Sequence, residues 1–141
     1  MATVGYSGTP LLKKLGIKPE TKIRLINPPN NYFQLLEANL SEQLSGGKNV
    51  PDLVHLFVAS NKEFEKEIKG LNKTLQQNPD LVVWVSWYKK SSGIKTDVTE
   101  DVIRNFALKN NLVDVKVCAV SDIWSGLKLV VPLAKRKIKS K

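Results

Sequence analysis

The chain contains two nearly continuous apolar segments, at 52–59 and 81–87, and each is followed by polar residues and then by a helical pattern. A strand that is buried on both faces has this composition, because neither of its faces meets water. Such strands occur mainly in sheets that are covered by helices on both sides. The two segments therefore predict an α/β fold with a mostly parallel sheet.

Shorter patterns place further elements before the first of these strands. A helix is predicted over 9–16, because Thr9 can cap it, Pro10 suits its first position and Gly16 suits the position after its end. A strand is predicted over 22–26 and a helix over 32–38. A short strand over 40–44 also fits the pattern.

Two longer helices begin with residues that have the spacing of a capping box. Ser60 and Glu63 form the first such pair, and Asp97 and Glu100 form the second. The predicted helices run to about residue 77 and to about residue 110.

The chain ends in two strand patterns, at 113–120 and 127–131, which are joined by a turn over 121–126. They are close enough to pair as an antiparallel unit. Right-handed crossovers would make the three preceding strands parallel. The expected fold is a three-layer Rossmann-like sandwich with a C-terminal antiparallel strand pair, and this ending resembles that of class I methyltransferases.

The length of 141 residues fits a single domain, predicted over 1–134 and followed by a basic tail over 135–141. The net charge is +9, and five of these charges lie in the tail. A tail of this kind can bind phosphate backbones or anionic lipid, or it can be a solvated terminus that aids solubility.

Cys118 is the only cysteine and His55 is the only histidine. An intrachain disulfide is therefore impossible and a Cys/His zinc site is excluded, so no metal is expected. A free thiol suits a reducing compartment. The chain shows no signal-peptide pattern and no apolar run of the ~20 residues that span a bilayer. These features predict a cytoplasmic protein that does not insert into membranes.

No combination of residues predicts a catalytic site or a cofactor. S-adenosylmethionine and NAD sites of the usual kind need a glycine-rich turn after the first strand, whereas this chain has Asn27, Pro28 and Pro29 there. A Ser-His-Asp triad would have to use His55, which lies inside an apolar run and fits a core position better. The sequence therefore favours a noncatalytic domain over an enzyme.

The carboxyl ends of parallel strands are where ligands bind in open α/β sheets. Residues 86–93 lie at such an end, and Ser86, Trp87, Lys89 and Lys90 supply hydroxyl, ring and ammonium groups that suit a phosphate or carboxylate. Two further ring-bearing residues are expected to line the same site, Tyr6 and Trp124. In the alternative interpretation Trp87 only covers the end of the sheet and the lysines are solvated.

The predicted function is therefore the binding of a small anionic ligand or a protein partner at the strand carboxyl ends. The alternatives are a divergent methyltransferase-like transferase and nucleic-acid association through the basic tail. The ligand, the partner and the oligomeric state are left open.

Several segments, in this order along the chain, resemble a small bacterial family of unknown function. They are GYSGTPL at 5–11, KLGIK at 14–18, WVSW at 84–87, KKSSG at 89–93, LVDVKVCAV at 112–120 and WSGLKLV at 124–130. The resemblance implies a single-domain bacterial cytoplasmic protein, and it supplies no catalytic residues.

Overall fold

The computed structural model describes residues 10–45 and 50–132. Within them a single sheet of five strands has the order β1-β2-β3-β5-β4. The strands are β1 (Ile23–Ile26), β2 (Leu53–Phe57), β3 (Val82–Tyr88), β4 (Val113–Ala119) and β5 (Trp124–Val130). The first three are parallel, and β5 is antiparallel to both β3 and β4. The predicted α/β Rossmann-like fold, with its antiparallel ending, is confirmed.

Five α-helices cover the two faces of this sheet. They are α1 (Leu11–Leu15), α2 (Tyr32–Leu36), α3 (Asn61–Gly70), α4 (Asn72–Gln77) and α5 (Glu100–Lys109). The side chains of α1 and α2 pack on one face, together with Phe57 and Trp84, and this is called the α1–α2 face below. The apolar stripes of the other three helices pack on the opposite face, the α3–α5 face, against Leu56 and Val85.

The central strands have the burial that their composition predicts. Every residue of β2 is buried, as are Val83 to Trp87 of β3. Trp84 is fully buried on the α1–α2 face, and its indole Nε1 donates a hydrogen bond to the Leu15 carbonyl at 3.0 Å. This bond satisfies the indole and fixes the end of α1 over β3.

The predicted helix that begins at Ser60 is wrong in its length, because it is broken into α3 and α4. The break lies at Leu71, which has φ −89° and ψ −5°, and whose N–H bonds to the Ile68 carbonyl in the tighter three-residue pattern. Gly70 weakens the helix at this point, and the change of direction lets Leu71 reach the core, where it is 2% exposed.

The predicted strand over 40–44 is also wrong. Ser41–Gln43 form one turn of 3-10 helix, and only Leu44 makes a β-bridge, to Ile23 of β1. The Gln43 side-chain amide donates to the carbonyls of Lys18 and Thr21 at 2.8 and 2.9 Å. These bonds hold the segment in a turn beside β1.

The final hairpin turns earlier than predicted, so that Trp124, Ser125 and Gly126 belong to β5 and not to the turn. The Ser121 hydroxyl accepts hydrogen bonds from the backbone N–H groups of Ile123 and Trp124, each at 3.2 Å. Because this side chain closes the turn locally, the strand can begin at Trp124. On the partner strand, the β4 register shifts between Asp114 and Lys116, which is the signature of a β-bulge.

Candidate functional site

The carboxyl ends of β1, β2 and β3 lie at one edge of the sheet, because these strands are parallel and in register. The antiparallel β5 begins at the same edge, since Trp124 pairs with Tyr88 at the end of β3. The predicted convergence of the strand ends on one rim is therefore present in the structure.

The structure distributes the predicted binding residues over both faces of this rim. Ser86 is fully buried on the α1–α2 face, whereas Trp87 is buried on the α3–α5 face, as alternation along β3 requires. Trp124 is buried and stacks on Tyr88, with the ring centroids 4.1 Å apart. It also makes a T-shaped contact with the ring of Phe57, with the centroids 4.8 Å apart.

The two predicted lysines are the part of this set that reaches the surface. Lys89 is partly exposed, and its backbone N–H bonds to the Ile123 carbonyl at 2.9 Å, while Lys90 is exposed. Tyr6 lies outside the described residues. Ser86, Trp87 and Trp124 therefore support the rim from within, and Lys89 and Lys90 are the residues placed to meet a solute.

Ser86 belongs to a buried hydrogen-bonded chain with Tyr32 and His55. Its Oγ lies 2.7 Å from His55 Nε2, and the Tyr32 hydroxyl lies 2.8 Å from Nδ1 of the same ring. A neutral imidazole has one N–H and one bare nitrogen, so Tyr32 and Ser86 play opposite donor and acceptor roles. Burial lowers the pKa of His55 to about 3 and raises the pKa of the Tyr32 hydroxyl above its ordinary value.

A serine hydroxyl on a histidine nitrogen is also the geometry of an activated nucleophile, but here there is no space for a substrate. Ser86 is 0% exposed, and a Cβ built on Gly126 of the neighbouring strand would lie 3.6 Å from its Oγ. The interpretation of His55 as a satisfied core histidine is confirmed. The sequence did not predict the hydrogen bond between His55 and Ser86, although each is a polar side chain in an otherwise apolar strand.

The N-terminus of α3 is the second structured feature of the rim. Ser60 Oγ accepts from the Glu63 N–H at 3.1 Å, as the capping pattern predicts, while Glu63 Oε1 accepts from the Ala59 N–H at 2.8 Å. Asp97 Oδ1 accepts from the Asn61 N–H at 2.8 Å. A carboxylate of the chain itself therefore occupies the place where this helix end would attract an anion.

The role predicted for Asp97 as the cap of its own helix is consequently wrong. Helix α5 begins two residues later, where Thr99 Oγ1 accepts from the Val102 N–H at 3.2 Å. The side chain of Asp97 instead accepts a hydrogen bond from the N-terminus of α3, on the other side of the rim. The neighbouring Thr96 hydroxyl donates to the Ala59 carbonyl at 2.7 Å, so that two side chains hold the β3–α5 loop against the end of β2.

The loop after β3 forms a cavity of about 560 Å³ at the surface, lined by Lys90, Gly93, Ile94, Lys95, Thr96 and Asp97. Lys90–Ser92 form one turn of 3-10 helix, and Gly93 ends it with φ +78°, a conformation that favours glycine. Lys90 is among the residues that the sequence predicts for a binding site, whereas Lys95 is not among them. Its position in the same lysine-containing loop was the available signal.

The end of β1 does not fit the cofactor turn of a dinucleotide or S-adenosylmethionine site. Asn27 has the left-handed φ of +56° that a glycine often supplies in such turns, but its side chain extends to Glu63, where Nδ2 donates to Oε2 at 3.2 Å. Pro28 and Pro29 follow, and neither has an N–H to offer a phosphate or a carboxylate.

Over 10–45 and 50–132, no three His, Cys, Asp or Glu side chains come together as potential metal ligands. In the same part of the chain, none of the helices has the length and apolar character needed to span a bilayer.

No family model matches the chain, and no curated protein sequence matches it. Several solved structures do share its fold. A protein of the NAD-binding Rossmann superfamily from Streptococcus agalactiae has a TM-score of 0.58 and 8% identity, over 92% of this chain and 71% of that one. An uncharacterised protein from Listeria monocytogenes has a TM-score of 0.58 and 10% identity, over 90% and 69% of the two chains.

The tRNA methyltransferase TrmK of Bacillus subtilis is similar as well, with a TM-score of 0.56 and 8% identity, over 90% of this chain and 67% of that one. At such low identities the likeness concerns the fold, and it agrees with the Rossmann-like α/β architecture described above.

Proposed function

We propose that this protein is a noncatalytic binding domain that holds a small anionic ligand in the cavity of the β3–α5 loop. The observation that carries the proposal is the pair of lysines, Lys90 and Lys95, that line a cavity at the carboxyl end of a central strand. Ligands bind at this end of open parallel sheets. Ammonium groups there suit phosphate or carboxylate oxygens.

The charge of the cavity supports this assignment. Asp97 is its acidic lining residue, but its Oδ1 already accepts a hydrogen bond from the N-terminus of α3. The N–H groups of Ser92, Gly93 and Ile94 are also used within the loop. The two lysines outnumber the one carboxylate of the lining and are the cationic groups that would attract an anion, while the hydrogen bonds within the loop order it before binding.

The absence of catalysis in this proposal rests on the buried Ser86–His55 pair. Both side chains are fully buried and bonded to each other, so neither reaches a solute at the rim. In the lining of the cavity, the Asp97 carboxylate accepts from the Asn61 N–H and the Thr96 hydroxyl donates to the Ala59 carbonyl, so both side chains are used in holding the loop.

The experiment is calorimetric titration of the full chain with phosphate, pyrophosphate and citrate. The variant Lys90→Ala/Lys95→Ala is compared with the matched control Lys69→Ala/Lys73→Ala, which removes the same charge from exposed positions of α3 and α4. We expect the first variant to lose affinity about tenfold or more, because a hydrogen bond to a charged group contributes about 1.5–3 kcal/mol. Equal affinities of the two variants, or no binding of any of the three anions, would contradict the proposal.

The sheet order favours a second candidate, a methyltransferase-like transferase. In this chain β5 lies antiparallel between β3 and β4, which resembles the ending of class I methyltransferases, and one of the similar structures is a tRNA methyltransferase. The turn at Asn27 does not fit the cofactor, so this candidate depends on a different mode of binding. Calorimetry with S-adenosylmethionine tests it, and no heat at millimolar cofactor would end it.

A further inference from the structure

Three lysines from three separate elements lie on the α1–α2 face, and one of them, Lys128, stands four positions along β5 from Trp124 at the rim. Lys116 of β4 and Lys128 of β5 are direct partners in the antiparallel ladder. Lys14 of α1 and Lys116 both act electrostatically on Cys118, which stands two residues beyond Lys116 on the same face of β4. These three residues, Lys14, Lys116 and Lys128, are called the lysine patch below.

The elements that form the lysine patch bring no acidic side chain to it. Helix α1 and strand β5 contain no Asp or Glu. The acidic residue of β4, Asp114, pairs with Leu129, whose side chain packs on the α3–α5 face, and there its Oδ2 accepts from Arg104 Nε at 3.1 Å. On that opposite face the Asp114 carboxylate is paired with Arg104, whereas the lysines of both strands lie on the α1–α2 face.

Two lysines placed directly opposite each other in a sheet repel, and such pairs destabilise the folded state. Their Cβ atoms are about 5 Å apart in this arrangement. An anion that bridges them would relieve the repulsion. The repulsion between Lys116 and Lys128 therefore makes this position favourable for a negatively charged partner.

We propose that the lysine patch binds the phosphate backbone of a nucleic acid. The patch lies on the surface of the sheet and beside a helix, on separate rigid elements, and this suits a chain of phosphates better than a single small anion in a concave site. After Pro132 the sequence continues into five basic residues within 135–141. These charges add to the electrostatic attraction that the whole chain exerts on a polyanion.

The distribution of apolar side chains favours nucleic acid over an anionic membrane. A peripheral membrane surface combines basic residues with exposed large apolar ones. Val117 is 51% exposed, but it pairs with Leu127 and so belongs to the α3–α5 face. Val115, which is 53% exposed, lies at the register shift between Asp114 and Lys116. Among the described residues of β4, at most this one exposed valine adjoins the lysines, which is less than the apolar face of a membrane-binding surface.

The test is the anisotropy of a labelled single-stranded RNA oligonucleotide, titrated with the full chain at several salt concentrations. The variant Lys116→Ala/Lys128→Ala should reduce the slope of log K against log salt by about 0.7 for each lysine removed. The matched control is Lys66→Ala/Lys69→Ala on α3, which loses the same charge from the opposite face and should keep the slope. Thermal unfolding verifies that both variants are folded.

Three outcomes would overturn the proposal. The first is no RNA binding by the wild-type chain at low salt. The second is a loss of RNA binding that does not depend on the patch, whether it is equal in the patch variant and the α3 control or appears on truncation after Ala134 and not in the patch variant. The third is patch-dependent sedimentation with phosphatidylserine vesicles without RNA binding, which would assign the surface to a membrane. Lys90 and Lys95 are intact in all these variants, so the outcome is independent of the anion site proposed above.

Discussion

Ser86 Oγ and His55 Nε2 lie 2.7 Å apart in the centre of the sheet, where neither residue is exposed. Removal of the hydroxyl by Ser86→Ala would leave the imidazole nitrogen buried without this partner. We expect the free energy of unfolding to fall by about 1–3 kcal/mol, the cost of an unsatisfied buried polar group. Urea denaturation of Ser91→Ala, which changes an exposed serine in the following loop, is the control. Equal stabilities of the two variants would contradict a structural role for the Ser86–His55 bond.

The stability of the protein should depend on pH through the same histidine. The pKa of folded His55 is about 3, below the value of about 6.5 for an unfolded histidine. The unfolded state therefore binds more protons between these values, and stability is full above pH 6.5 and falls as the pH is lowered. The expected loss from His55 between pH 7 and pH 5 is about 2 kcal/mol.

The matched variant for the pH experiment is His55→Gln, which keeps polar atoms at this position but does not titrate. Its free energy of unfolding, from urea denaturation at pH 7 and pH 5, should lack the loss assigned to His55. If wild type and variant showed the same change between the two pH values, the histidine would not be its cause.

The sequence is sufficient to predict the central sheet because buried parallel strands have an unmistakable composition. The apolar segments at 52–59 and 81–87 contain β2 and β3, and the predicted antiparallel strand pair corresponds to β4 and β5. The break at Leu71 was missed because a periodic apolar stripe continues through it, and the gain from burying Leu71 depends on the sheet that it meets. The turn over 41–43 was missed because Gln43 bonds to residues more than twenty positions earlier.

The position of the candidate site in the fold could be predicted from the sequence, but the side chains that line it were harder to predict. The direction of the strands was enough to predict the rim. Side chains alternate along β3, however, so Ser86 and Trp87 lie on opposite faces of the sheet, where both are buried in the core. The partner of Asp97 could not be inferred, since its bond to Asn61 joins two loops that only the folded sheet brings together. Lys116 and Lys128 required the strand register, which the sequence does not specify.

Asp97→Ala tests the bond across the rim. It removes a carboxylate from the N-terminus of α3, and we expect a loss of about 1 kcal/mol in the free energy of unfolding. Added phosphate should restore part of this loss, because the vacated helix end can attract an anion. Thermal unfolding with and without phosphate measures both effects. Asp122→Ala, at an exposed position in the β4–β5 turn, should show no such loss, and phosphate should stabilise it no more than the wild-type chain, which keeps Lys90 and Lys95 as well. The same behaviour in both variants would refute the assignment.

Lys116→Glu converts the repulsive pair on β4 and β5 into an attractive one. The free protein should therefore gain about 0.2–1 kcal/mol in the free energy of unfolding, while its binding to RNA weakens. Gain of stability with loss of binding is the signature of a residue that is retained for function. Lys66→Glu on α3 applies the same charge reversal away from the ladder. A loss of stability in Lys116→Glu greater than that in Lys66→Glu would mean that the two lysines do not repel.

Two glycine substitutions should change stability in opposite directions. A Cβ on Gly126 would lie 3.0 Å from Val120 Cγ2 and 3.4 Å from Trp84 Cε3, in the core beneath α1, so Gly126→Ala should cost about 1–3 kcal/mol through overpacking. A Cβ on Gly70 meets no atom within 4 Å, and the residue is helical, so Gly70→Ala should stabilise the protein by about 0.4–1 kcal/mol. Urea denaturation of both variants gives the signs. Destabilisation by Gly70→Ala would show that the break between α3 and α4 requires a glycine, and a neutral Gly126→Ala would show that Val120 can move aside.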